Sequence, residues 1–67
     1  MMEIVINGNP REVPEATSLD RVVELISKSS TGIAVAVNGD VVSRITWPQV
    51  RLAHGDQVEV LTAVQGG

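Results

Sequence analysis

Residues 33–39 decide the fold of this chain, and they read Ile-Ala-Val-Ala-Val-Asn-Gly. Five consecutive apolar residues, mostly β-branched, are typical of a buried strand. The Asn-Gly pair that follows is a strong turn signal, because both residues tolerate a positive φ. Val41 and Val42 come next and predict a short returning strand. We therefore expect a hairpin whose first strand, residues 33–37, is the buried central strand of a sheet.

A single helix is expected immediately upstream of this hairpin. Thr17 and Asp20 match the capping-box pattern that begins a helix. The residues at 29–32, Ser-Ser-Thr-Gly, end it, so the helix occupies about three turns over residues 18–29. Its apolar face is formed by residues spaced at i, i+3, i+4 and i+7, namely Leu19, Val22, Val23 and Ile26.

Both ends of the chain also predict strands. Residues 2–6 alternate with period two, the Asn-Gly-Asn-Pro segment at 7–10 predicts a turn, and residues 11–14 form a short return strand. The turn at 54–56 precedes a second alternating segment, residues 57–61. The resulting order, β-β-α-β-β-β, is an α+β pattern.

The predicted fold is therefore a ubiquitin-like β-grasp, in which a mixed sheet of about five strands packs on one helix. We expect one β-grasp domain over residues 1–62 and a flexible tail over residues 63–67, since the last five residues show no periodicity.

Composition excludes several classes of function. The chain has 67 residues, a net charge of −3 and one aromatic residue, whereas nucleic-acid binding needs clusters of Lys and Arg, often with aromatic rings. No apolar run is long enough to span a membrane, and the start of the chain shows no secretory signal. The absence of Cys excludes disulfides and fits a cytoplasmic protein.

No set of catalytic or metal-binding residues converges in the sequence. His54 lacks an orienting partner and is expected to be a solvated turn residue. The Asp and Glu residues are scattered, so we predict no metal site and no bound cofactor. Trp47, the single aromatic residue, allows two interpretations: it covers the side of the sheet away from the helix, or it anchors a partner.

The terminal pair Gly66-Gly67 is the most unusual feature of the sequence. A carboxylate that follows two residues without side chains can pass through a narrow channel in a partner protein. There it could meet an electrophile such as the α-phosphate of ATP. The plain alternative is a frayed terminus without function.

The whole chain resembles ThiS, the family of sulfur carriers in thiamin biosynthesis. The resemblance is most specific over residues 55–67, Gly-Asp-Gln-Val-Glu-Val-Leu-Thr-Ala-Val-Gln-Gly-Gly. Further similar segments are residues 4–8, Ile-Val-Ile-Asn-Gly, residues 35–39, Val-Ala-Val-Asn-Gly, and Trp47 ahead of Arg51-Leu52. The terminal Gly-Gly alone is shared with ubiquitin and with the small subunit of molybdopterin synthase.

This resemblance implies a covalent carrier that is not itself an enzyme. An ATP-dependent activating enzyme (ThiF-like) would adenylate the carboxyl group of Gly67, and a sulfur donor would convert it to a thiocarboxylate. The thiocarboxylate would then pass its sulfur to thiazole synthase (ThiG-like). ATP is consumed by the activating partner, and the carrier alone is expected to be a monomer. The residues expected to enter the partner's channel are Ala63, Val64, Gln65 and Gly66.

The period of two also predicts a partner-binding surface on the sheet face opposite the helix. If Val58 and Val60 point inward, Leu61 points outward. The residues expected on this outer face are Val5, Ala34, Ala36 and Leu61. The competing interpretation is that Trp47 and its loop cover them.

Other functions stay open at this point. The chain could carry sulfur for molybdopterin or for tRNA thiolation, although the short helical region at 18–29 favours the thiamin family. It could instead be a ubiquitin-like modifier joined to lysines. A regulatory or RNA-binding β-grasp module is a third class, disfavoured by the acidic charge and the Gly-Gly terminus.

Overall fold

A computed structural model describes residues 1–26 and 32–62 of the chain. In these ranges, five strands, one α-helix and one 3₁₀ helix form an α+β domain, as predicted. The elements are β1 (Met2–Ile6), β2 (Asn9–Val13), α1 (Leu19–Ile26), β3 (Ile33–Val37), β4 (Asp40–Val42), the 3₁₀ helix (Arg44–Gln49) and β5 (Gln57–Thr62).

The five strands form one mixed sheet in the order β2-β1-β5-β3-β4. β5 runs parallel to β1 and antiparallel to β3, and the other neighbouring strands pair antiparallel. The centre of the sheet is therefore β5, and the prediction that residues 33–37 are the buried central strand is wrong. Of β3, only Val35 is buried, while Ala34 is exposed. Its small alanines lie on a face that α1 does not cover.

The core lies between the sheet and α1. Buried residues of α1 and alternate residues of the strands form one apolar cluster, which also includes residues that follow β4. Its members are Met2, Ile4, Ile6, Val13, Leu19, Val22, Val23, Val35, Trp47, Leu52 and Val58. The inward position of Met2, Ile4, Ile6 and Val58 confirms the period of two along β1 and β5.

Trp47 belongs to this core, so both interpretations of Trp47 from the sequence are wrong. The 3₁₀ helix packs against α1, and Trp47 is 3% exposed within the same cluster as Leu19 and Val22. Its indole Nε1 donates a hydrogen bond to the carbonyl oxygen of Val42 at 3.0 Å. The ring therefore fills the space beside the helix, and it neither covers the opposite sheet face nor offers a surface to a partner.

The first hairpin is tighter than predicted. Asn7 and Gly8 have φ values of 51° and 83°, the positive values that a two-residue type I′ turn requires. Asn9 and Pro10 therefore already belong to β2, which begins two residues before the predicted start. Pro10 is tolerated because β2 is an edge strand.

The helix begins without the predicted capping box. The hydroxyl of Thr17 donates to the carbonyl oxygen of Pro14, while Asp20 accepts a hydrogen bond from the hydroxyl of Ser18. The carbonyl oxygen of Ser18 accepts the first helical hydrogen bond, from the backbone N–H of Val22 at 3.2 Å. The predicted end of the helix lies partly outside the described residues, which stop at residue 26 and resume at residue 32.

Candidate functional site at the end of the central strand

The predicted reactive segment follows directly on the central strand. β5 is paired up to its last residue, since Thr62 lies opposite Ile33 of β3. The predicted tail and channel residues, Ala63, Val64, Gln65, Gly66 and Gly67, lie outside the described residues. The structure shows where this segment begins: the five residues that end in Gly-Gly follow Thr62, the last residue of the middle strand.

The outer sheet face next to this point is open. Leu61 is 65% exposed and lies opposite the exposed Ala34 on β3. Ala36 and Val5 are half-buried. The strand register places all four predicted residues on this face, and Trp47 does not cover them because it lies in the core on the other side of the sheet. Leu61, Ala34 and Ala36 adjoin one another on neighbouring strands, whereas Val5 lies beside Gln57 at the start of β5.

Val41 is a fifth apolar residue on this face that the sequence reasoning missed. It lies opposite Ala36 and is 82% exposed. The available signal was the Asn38-Gly39 turn, because a two-residue turn fixes the register and places Val41 opposite Ala36. Val41 extends the apolar outer face from β5 across β3 to β4.

Acidic residues border the apolar part of the outer face. Glu59 lies opposite Ala36, and Glu3 lies directly opposite Glu12 on the edge strand. Among the described strand residues of this face, the charged ones are all acidic. Like charges that face each other across a strand pair lower stability, so the Glu3–Glu12 pair favours a partner that brings positive charge.

Two asparagines, which the sequence identifies only as turn residues, fix the central strand. The Oδ1 of Asn38 accepts a hydrogen bond from the backbone N–H of Gln57 at 3.0 Å, and its Nδ2 donates to Asp56 at 3.1 Å. The Oδ1 of Asn7 accepts from the backbone N–H of Val60 at 2.8 Å, and its Nδ2 donates to the Val60 carbonyl at 3.2 Å. The strand is thus held at its start and again two residues before its end.

His54 is an exposed turn residue, as predicted. Its Nδ1 accepts a hydrogen bond from the backbone N–H of Glu3 at 3.0 Å, and the backbone N–H of Gly55 donates to the Glu3 carbonyl at 2.7 Å. The side chain therefore attaches the turn to β1. In the described part of the chain, no three His, Asp or Glu residues form a group that could hold a metal ion.

The described ranges contain no helix with the length and apolarity needed to cross a membrane.

Comparison with known proteins matches the fold and almost the whole sequence. The family model of the ThiS family matches residues 4–67. The sulfur carrier protein ThiS of Thermus thermophilus is 36% identical over 62 residues, which cover 92% of this chain and 95% of that protein. The crystal structure of the thiamine biosynthesis protein ThiS from Geobacter metallireducens superposes with a TM-score of 0.84 at 28% identity, covering 98% of this chain and all of that one.

A second kind of relative is much longer. A thiazole synthase of Magnetococcus marinus is 35% identical over 66 residues, which cover 98% of this chain but 20% of that protein. The chain therefore spans about a fifth of that relative, which contains a ThiS-like region within a larger protein. From the family match over residues 4–67 and the shared fold, the chain belongs to the ThiS family.

Proposed function

We propose that this protein carries sulfur for thiazole formation in thiamin biosynthesis, and that it does so on the carboxyl group of Gly67. The observation that carries the proposal is the ThiS family match, which runs through the Gly-Gly pair to residue 67. The position of β5 supports it, because the segment leaves the fold from the end of its central strand.

The proposed chemistry needs no catalytic side chain of the carrier. A carboxylate is a poor acyl donor until it is activated. The Gly67 carboxylate attacks the α-phosphate of ATP in the activating enzyme, which releases pyrophosphate and leaves an acyl-adenylate. A hydrosulfide ion from the sulfur donor then attacks the acyl carbon, the bond to AMP breaks, and AMP and a proton are released. The product is a thiocarboxylate that thiazole synthase can use, and ATP remains the substrate of the activating partner.

The outer sheet face is the surface we assign to the activating enzyme. Leu61, one residue before the end of β5, is 65% exposed, and exposed apolar clusters mark interaction sites. A partner bound at Leu61 and Ala34 would lie next to the departing tail. The acidic border at Glu59 predicts basic residues on that partner, because complementary charge speeds and orients association. We propose that the protein acts in the cytoplasm, because a chain without Cys needs no oxidising compartment for disulfide formation.

The test of the proposed function is the intact mass of the protein after incubation with a ThiF-like enzyme, ATP and a sulfur source. We expect a gain equal to the difference between sulfur and oxygen, confined to the C-terminal peptide. Adding thiazole synthase and its other substrates should return the mass to its original value. No mass gain, or a gain on the folded body, would overturn the proposal.

Leu61→Asp is expected to weaken binding to the activating enzyme at least about tenfold while the domain stays folded, as loss of a buried apolar contact at an interface centre does. The fold should tolerate the charge because Leu61 is exposed in the free protein. The matched control is Leu25→Asp, since Leu25 is 57% exposed but lies on α1, on the other side of the sheet. Titration calorimetry should separate the two variants, and equal affinities would contradict this assignment.

Gly66→Val should fold normally and fail to load sulfur. A β-branched side chain next to the reacting carboxylate restricts the backbone and widens the segment that must enter the partner's channel. The mass assay measures loading, and circular dichroism checks the fold. Gly66→Ala is the graded control and should retain more loading than Gly66→Val. Normal loading of the valine variant would show that no narrow channel surrounds residue 66.

A further inference from the structure

The side chain of Asn7 extends the hydrogen bonding between β1 and β5 beyond the point where the backbone of β1 turns away. The backbone N–H of Asn7 donates to the carbonyl oxygen of Val58 at 2.9 Å, as in a regular parallel pair. At Asn7 the chain turns with a φ of 51°, so its backbone carbonyl no longer follows β5. The side-chain amide takes over and engages both the N–H and the carbonyl of Val60, at 2.8 and 3.2 Å.

This double hydrogen bond matters because of where Val60 lies. Val60 is half-buried in the central strand, with β3 on one side, where it is opposite Val35. On the other side, β1 ends at Ile6, so the Asn7 amide supplies the partner for the polar groups of Val60 that face β1. Unpaired backbone groups in such a place are costly, and a side-chain amide has the donor and acceptor of a peptide group.

We propose that Asn7 is a positioning residue for sulfur loading, a role that rests on the proposed function above. Val60 is followed by Leu61 and Thr62, after which the reactive segment begins. By holding Val60, Asn7 fixes the direction in which β5 delivers that segment to the activating enzyme. The last residues of β5 then keep a constant position relative to the docking surface at Leu61, so the reactive segment starts from a fixed point, as the positioning of a reacting group requires.

The chain contains its own control at Asn38. Asn38 also precedes a glycine, has a φ of 52°, donates its backbone N–H to β5 at Gln57 and accepts from the Gln57 N–H through Oδ1. The two asparagines differ in the part of β5 that they bind: Asn38 binds Gln57, the first residue of the strand, whereas Asn7 binds Val60, near its end. Asn→Gly at either position keeps the positive φ without strain. It removes the side-chain amide and adds the same backbone freedom at both positions.

The experiment compares N7G and N38G with the wild type in the mass-based loading assay, at saturating and at limiting carrier. We expect N7G to lower the maximal loading rate about tenfold, the scale of a modest misplacement of a reacting group. The affinity for the activating enzyme should stay within about twofold of the wild type, because the Leu61 face is intact. N38G should lower the melting temperature by about as much as N7G does. Unlike N7G, it should load sulfur at the normal rate.

Hydrogen exchange supplies a readout that does not depend on loading. N7G should speed exchange of the Val60 amide, whose acceptor is lost, and N38G should speed that of Gln57 instead. Asn7→Asp keeps the acceptor but not the donor and should load at an intermediate rate. If N7G loads as fast as the wild type, or if N7G and N38G slow loading equally, the role of Asn7 is overturned while the carrier function stands. A wild-type chain that gains no sulfur overturns the proposed function itself.

Discussion

Deletion of Gly67 is expected to abolish sulfur loading and to leave the fold unchanged. The deletion shortens the reach of the segment by about 3.5 Å. It also moves the carboxylate one residue away from the activating site, and misplacement of this size can cost about a hundredfold or more in rate. The Asp and Glu carboxylates lie on the folded body rather than at the end of a segment of glycines, so none of them should replace it.

The measurement is the intact mass after incubation with the activating enzyme, ATP and a sulfur source, together with the urea unfolding curve. Deletion of Met1, which is 79% exposed at the other end of the chain, is the matched control and should load normally. Both deletions should unfold at the urea concentration of the wild type, since the buried core cluster of the described residues runs from Met2 to Val58. A Gly67 deletion that formed a thiocarboxylate at the normal rate would contradict the carrier function proposed above.

The elements of the fold could be predicted because local patterns determine them. Alternation in residues 2–6 and 57–61 gave β1 and β5 with the correct inward faces, and the helical spacing from Leu19 to Ile26 gave α1. The two Asn-Gly pairs gave both hairpins. In each case the physical cause lies within a few residues, either a side-chain period or a backbone that tolerates a positive φ.

The arrangement of those elements depends on contacts between distant residues, and there the sequence was less informative. Five apolar residues at 33–37 suggested the buried central strand, but the middle strand is β5, and only Val35 of β3 is buried. The same alternation placed Leu61 and Ala34 outward correctly, because the period of two is local. The side-chain bonds of Asn7 to Val60 join residues that are 53 positions apart, and no local pattern encodes them.

The position of Trp47 likewise depends on contacts between residues that are distant in the sequence. The sequence predicted that the ring is buried or bound to a partner, but the side of the sheet on which it lies depends on where the 3₁₀ helix packs. The 3₁₀ helix places the ring against α1. Trp47 is therefore a structural residue, and its replacement should affect stability rather than partner binding.

Trp47→Ala is expected to lower the free energy of unfolding by about 3–5 kcal/mol, the usual cost of truncating a buried large aromatic residue. The ring is 3% exposed, and its loss also leaves the Val42 carbonyl without the indole donor. At roughly 0.05–0.15 kcal/mol per residue, a chain of 67 residues has a total stability of about 3–10 kcal/mol. The loss is therefore a large fraction of the total stability, and at the lower end of this range the variant is unfolded at 25 °C.

Urea unfolding followed by circular dichroism measures this loss of stability. Two further variants test whether the loss comes from the buried indole ring. Ile45→Ala removes an apolar side chain that is 87% exposed in the same 3₁₀ helix and should change stability by no more than about 0.5 kcal/mol. Trp47→Phe keeps an aromatic ring but loses the bond to Val42, so it should fall between the other two. A Trp47→Ala variant as stable as the wild type, with weaker binding to the activating enzyme, would instead place the ring in the interface. Because the indole lies under α1 and is bonded to the end of β4, we expect binding to fall only in proportion to the folded fraction.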